Sequence, residues 1–220
     1  MVRVLSMGIE IFSSVIFVVP AVFILQYAVF KQKRFSKTAA VMVFMFYLIA
    51  VFSVVGIPTV SSWHVDPTFN LIPIIDIVNS PLDYIRNTIL NIILFVPLGF
   101  LLPMIWKEYR SLRTAALAGL MLSVLIEILQ IFTFRLTDVD DLITNTAGAV
   151  LGFYIARLFS FRLPFGLALG LAESDENGYS RYEPVIILAA AFLIGSCLKA
   201  FVSDAIWDKI LSSPLWENIK

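Results

Sequence analysis

The sequence predicts an all-α fold, a polytopic transmembrane helical bundle of about six spans, and three observations carry that prediction. Sixty per cent of the 220 residues are hydrophobic, more apolar surface than one water-soluble core of this length can bury. The apolar residues fall in runs long enough to cross about 30 Å of hydrocarbon, which takes roughly 20 helical residues. Lysine and arginine gather in the connections between those runs. Lipid is therefore the expected solvent for most of the chain.

The first two spans are read at Gly8 to Phe30 and Ala39 to Gly56, and four more follow at Thr88 to Trp106, Ala115 to Phe134, Leu142 to Phe159 and Val185 to Lys199. The first exceeds the length of a secretory signal and no small-residue cleavage pattern precedes Lys31, so it is expected to be a permanent anchor. Sixteen basic and sixteen acidic residues leave no net charge, which gives no ground for a nucleic-acid partner or an acidic substrate. The placement of charge is more informative. Lys31, Lys33, Arg34 and Lys37 follow span one, Lys107, Arg110 and Arg113 follow span three, and Arg157, Arg162 and Arg181 are assigned to the connection after span five. These loops are expected to be cytoplasmic, which puts both termini outside.

The connection from Ile57 to Asn87 is different in character, with four prolines, three aspartates and the apolar run Leu71 to Ile75. Trp63, Phe69 and Tyr84 suit the headgroup level, and a short interfacial or re-entrant segment is expected there. The acidic stretch from Glu173 to Glu183 reads as a solvated turn. The single cysteine, Cys197, lies in an apolar run and is expected to be a packed, inert thiol.

Polar and ionisable residues are costly inside a membrane, and here they concentrate in spans three to five. Asn87 and Asn91 are four apart at the start of span three, which later carries Pro97 and Gly99. Glu127 and Gln130 end span four. Arg135 lies in the connection, and Asp138, Asp141, Asn145, Gly148 and Gly152 form one stripe at steps of three or four residues. Span three starts, span four ends and span five starts on the same side, so these groups are expected at one depth near the outer surface. Each also has a purely structural explanation: Asp138 as a helix cap, Asp140 as a solvated acid, Asn91 and Asn145 as interhelical donors, and Gly148 with Gly152 as a packing pair. Glu127 is the hardest to explain that way, because insertion scales put an unpartnered intramembrane carboxylate at about 2.5 to 3.5 kcal/mol.

Other patterns are weaker. Ser61, Ser62, His64 and Asp66 are residue types of a serine hydrolase, but such close neighbours on one loop cannot orient one another as a triad. One histidine and one cysteine give no zinc pattern, and Asp138, Asp140 and Asp141 lack a calcium-loop signature. No metal and no cofactor is expected.

The stretch Asn91-Ile-Ile-Leu-Phe95-Val-Pro97-Leu-Gly99-Phe100-Leu-Leu-Pro103 resembles the first signature of the VanZ-like family. Glu127-Ile-Leu-Gln130 followed by Arg135, Asp138, Asp141, Asn145, Gly148 and Gly152 is similar to its second, and Asn70-Leu-Ile-Pro73 to an earlier element. Residues 39–161 are accordingly read as a VanZ-like core, preceded by an anchor and basic loop at 1–38 and followed at 162–220 by a loop, a last span and a tail without a family counterpart. The resemblance implies a bacterial plasma-membrane protein connected with teicoplanin resistance, with membrane lipids, a lipid-linked cell-wall precursor or a glycopeptide antibiotic as its partners. The leading expectation is a non-catalytic protein that holds such a headgroup with Asn91, Gln130, Arg135 and Asn145, while Glu127, Asp138 and Asp141 order the arginine. The alternative is an intramembrane enzyme with Glu127 and Asp141 as an acid and base pair. A scaffold or small-solute transporter is a third reading, without the paired broken helices of known transporters.

Overall fold

A computed structural model describes residues 2–32, 34–60, 65, 69–70, 77, 80–133, 137–162 and 182–212. Helix α1 (Val2–Phe23) continues through a π-helical turn, Ile24–Val29. It is followed by α2 (Phe35–Val55), α3 (Pro81–Ile105), α4 (Leu112–Gln130), α5 (Val139–Arg162), α6 (Glu183–Leu193) and, after a second π turn at Ile194–Leu198, α7 (Lys199–Leu211). Among the described residues, six helical segments are long and apolar enough to cross a membrane, with α6, the π turn and α7 counting as one from Glu183 to Ile210. The protein is thus an all-α, multi-pass membrane protein.

The helix ends follow local chemistry. Proline at the first helical position opens α3, where its missing N–H costs nothing. The Ser111 side chain caps α4 by accepting from the Thr114 N–H at 3.2 Å. Gly56 ends α2 in the left-handed region, at φ 70°. Several boundaries differ from the sequence reading. Helix α3 begins at Pro81 rather than Thr88, so the residues up to Asn87, read as loop, form its first two turns. The last span starts at Glu183 and runs beyond Lys199, because a π turn lets the helix continue where the expected span stopped. Helix α5 also extends to Arg162, taking in Arg157.

Helices α3 and α5 run in the same direction and form the closest pair in the bundle. Gly99 lies against the Ala149 carbonyl, Gly148 against that of Ile92 and Gly152 against that of Val96, so closely that a Cβ on any of the three would overlap the opposing backbone. Small residues at four-residue spacing allow this approach. Helix α4 packs on α5, while α2 bridges α1, α3 and α6. The core joins Phe44, Met45, Leu48 and Phe52 of α2 to Phe95, Leu98 and Leu102 of α3, Leu122 and Ile126 of α4, and Ile187 and Ala191 of α6. Large apolar side chains such as Ile93, Ile143 and Leu151 face outward, as lipid rather than water requires.

A two-residue parallel pair aligns Phe69 with Thr137 and Asn70 with Asp138. The sequence reading foresaw no strand. This pairing ties the segment after α2 to the start of α5 and leaves the all-α class unchanged.

Candidate functional site

Because α3 and α5 are parallel, their N-terminal turns open at the same end of the bundle. There a polar cavity of about 260 Å³ lies between them, lined from α3 by Ser80, Asp83, Tyr84, Asn87, Thr88 and Asn91 and from α5 by Asp138, Asp140, Asp141 and Thr144. At its floor the Asn91 amide donates to Asp141 Oδ1 at 2.6 Å, a short bond to a carboxyl oxygen that joins the two helices. Asp83 sits in the first turn of α3, and Asp140 and Asp141 in that of α5, where the positive ends of the helix dipoles favour carboxylates. The cavity is therefore rich in acceptors and hydroxyls. Among the described residues, no lysine or arginine lines it.

The predicted site residues separate into two groups. Asn91, Asp138 and Asp141 line the cavity. Asp138 also caps α5, with its Oδ1 accepting the Asp140 N–H at 2.9 Å. Glu127 lies behind, where its Oε2 accepts the Asp138 N–H at 3.0 Å and joins the end of α4 to the start of α5. The Asn145 amide donates to Ser123 Oγ at 2.8 Å, deeper in the α4–α5 seam. The Gln130 amide turns the other way, to the Val55 carbonyl at the end of α2, at 3.3 Å. Glu127, Gln130 and Asn145 are all buried, and none of them lines the cavity. Arg135, His64, Ser61, Ser62 and Asp66 lie outside the described residues. Pro97 sits mid-helix in α3, next to the Val96 carbonyl that Gly152 meets.

The sequence reading missed Ser80, Asp83, Thr88, Thr144 and Ser123. The signal is present, since 80, 84, 87, 88 and 91 recur at helical spacing, but they share one face only when the helix begins at Pro81 rather than Thr88.

A second polar cluster occupies the opposite end. Glu183, at the start of α6, is fully buried; its Oε1 accepts from Gln26 Nε2 at 2.7 Å. Its Oε2 accepts from Trp106 Nε1 at 2.8 Å and pairs with Lys37 Nζ at 2.9 Å. This corrects the reading of Glu183 as part of a solvated turn: the residue anchors α6 to α1, α2 and α3 at once. Residues 173–181 lie outside the described set. Cys197 is half-buried rather than fully packed, with its Sγ 3.4 Å from Ser196 Oγ. Among the described residues no group of three or more histidines, cysteines, aspartates or glutamates is arranged to hold a metal ion.

A parallel helix pair locked through glycines, with carboxylates and amides at its shared N-terminal end, defines a class of multi-pass helical membrane protein organised around one intramembrane polar seam. The profile of the VanZ/LLP1 family matches residues 43–160, a little over half of the chain, and the chain belongs to that family. It is 46% identical over 68 residues to Protein VanZ of Enterococcus faecium. That alignment takes in 30% of this chain and 42% of the relative, so the similarity spans less than half the length of either. No solved structure matches the chain.

Proposed function

We propose that the chain acts without catalysis at the outer face of the bacterial plasma membrane, where the cavity between α3 and α5 receives an amine- and hydroxyl-bearing headgroup. A lipid-linked cell-wall precursor or a glycopeptide such as teicoplanin has this chemistry, and the activity is a change in glycopeptide susceptibility. The observation that carries the reading is the aspartate-lined cavity floored by the Asn91–Asp141 bond. Four carboxylates and four hydroxyls in its wall suit a cationic or hydroxyl-rich ligand. The placement of lysine and arginine favours the outer side for this end.

The enzymatic alternative has less support, because Glu127 is engaged with the Asp138 backbone and Asp141 with Asn91. Teicoplanin susceptibility and binding of labelled teicoplanin are to be measured in a susceptible host expressing the chain, with Asp141→Ala and Asn91→Ala matched for membrane abundance. Protection that both variants abolish supports the proposal. Protection that survives both at equal abundance refutes the cavity as the site, and no protection by the parent chain refutes the antibiotic reading.

A further inference from the structure

At the other end of the bundle an apolar groove of about 650 Å³ opens between α4 and α6, floored by α2 and α3. Its walls belong to different parts of the fold, since α6 packs on α2 while α4 packs on α3 and α5. Leu117, Met121 and Leu125 of α4 face Val185 and Leu188 of α6 over Leu102 of α3. From Thr114 to Leu125 the groove follows α4 for about 16 Å at 1.5 Å per residue, close to half of the roughly 30 Å hydrocarbon thickness. It is one leaflet deep.

Its polar groups lie at one end only. Glu108, Tyr109, Thr114 and Tyr182 form the mouth. Exposed Lys107, Arg110 and Arg113 flank it, and the Arg110 guanidinium is held over the end of α3 by donating to the Pro103 carbonyl at 3.3 Å. Glu108 is the one acid among the described residues of the mouth. Burial, and then the Glu108 charge, push the Tyr109 phenol up, so it stays a neutral donor.

We infer that this groove is a binding site for one anionic phospholipid of the leaflet on the basic side, with an acyl chain between α4 and α6 and its phosphate among Lys107, Arg110 and Arg113. The occupant follows from depth and charge together: an apolar channel one leaflet long, opening beside three cations, fits a single-leaflet amphiphile with a negative head. The site is separate from the α3–α5 cavity and does not depend on the function assigned to it.

The test uses the full chain in nanodiscs containing phosphatidylglycerol or phosphatidylcholine with a diazirine in the acyl chain, and the photolabelled residues are mapped by mass spectrometry. Labelling should concentrate on residues 117–125 and 185–188 relative to the outward-facing Ile143 and Leu151. Phosphatidylglycerol should label them about fivefold or more above phosphatidylcholine, the factor for one basic residue near an anionic surface. Ala118→Trp, which fills the groove, should remove that labelling. The surface variant Lys107→Gln with Arg110→Gln and Arg113→Gln, which removes all three cations, should bring the two lipids level. Labelling spread evenly over groove and outward faces overturns the inference, as does a phosphatidylglycerol preference that survives the charge substitutions.

Discussion

Replacing Lys37 with methionine should destabilise the bundle more than any other single loss of charge at the basic end. The lysine and glutamate side chains are only 4% and 0% exposed, so solvent screens little of their 2.9 Å contact. Lys37→Met keeps the length and apolar stem of the side chain and leaves the Glu183 carboxylate buried with two neutral donors, Gln26 and Trp106. Breaking a buried pair from one side typically costs about 3–5 kcal/mol. The two remaining hydrogen bonds hold this case toward the lower end of that range. For a chain of this size that corresponds to a fall on the order of 10 °C in the unfolding midpoint. Adding Glu183→Gln removes the orphaned charge; its carbonyl oxygen can still accept from Trp106, and its amide NH2 can donate to the Gln26 oxygen once the Gln26 amide turns over. The double variant should therefore recover most of the loss and lie within about 1–2 kcal/mol of the parent. The assay is helical circular dichroism of the detergent-purified protein on heating, for the parent, both singles and the double. A double variant as unstable as the sum of the singles would show that the pair is not coupled, and would refute the account of Glu183 as the anchor of α6.

Gly152→Leu should lower the midpoint and membrane abundance, by at least about 1–3 kcal/mol, because its side chain meets the Val96 backbone; Gly195→Ala, whose Cβ would lie 3.6 Å from Ile57 Cδ1, should be tolerated in the same assay. Glu127→Ala should cost about 1–3 kcal/mol by stranding the Asp138 N–H, whereas Glu127→Gln, which can still accept that bond, should keep both stability and any protection; loss of protection in a stable Glu127→Gln protein would revive the enzymatic reading. Ser111→Ala should cost about 1 kcal/mol through loss of the α4 cap, measurable as a small midpoint shift with no effect on ligand binding.

Much of this was legible in the sequence because helical periodicity and hydropathy are local. The spans, the polar stripe from Asp138 to Gly152, and the gathering of Asn91, Asp138 and Asp141 at one level all follow from spacing and alternating direction. Where the reading failed, the determining contact was distant. Pro81 follows a proline-rich polar stretch that reads as loop, yet it starts α3 and brings Ser80, Asp83 and Tyr84 to the cavity. Glu183 closes an acidic, glycine-containing segment that reads as solvated, and nothing within several residues of it announces Lys37 or Gln26. The Gln26–Glu183 bond spans 157 positions.

The sequence by itself thus determined the solvent, the number of crossings and which residues share a helix face, since each depends on composition and on a period of 3.6 residues. Only the tertiary structure decided which faces meet. The azimuth of each helix is set by packing, above all by Gly99, Gly148 and Gly152, which let α3 and α5 approach until backbone touches backbone. That approach makes Asn91 a partner of Asp141, and the rotation of α4 sends Gln130 away to Val55 while Glu127 turns toward Asp138. A carboxylate's nearest donor in space is fixed by such geometry, and no local pattern in the chain encodes it.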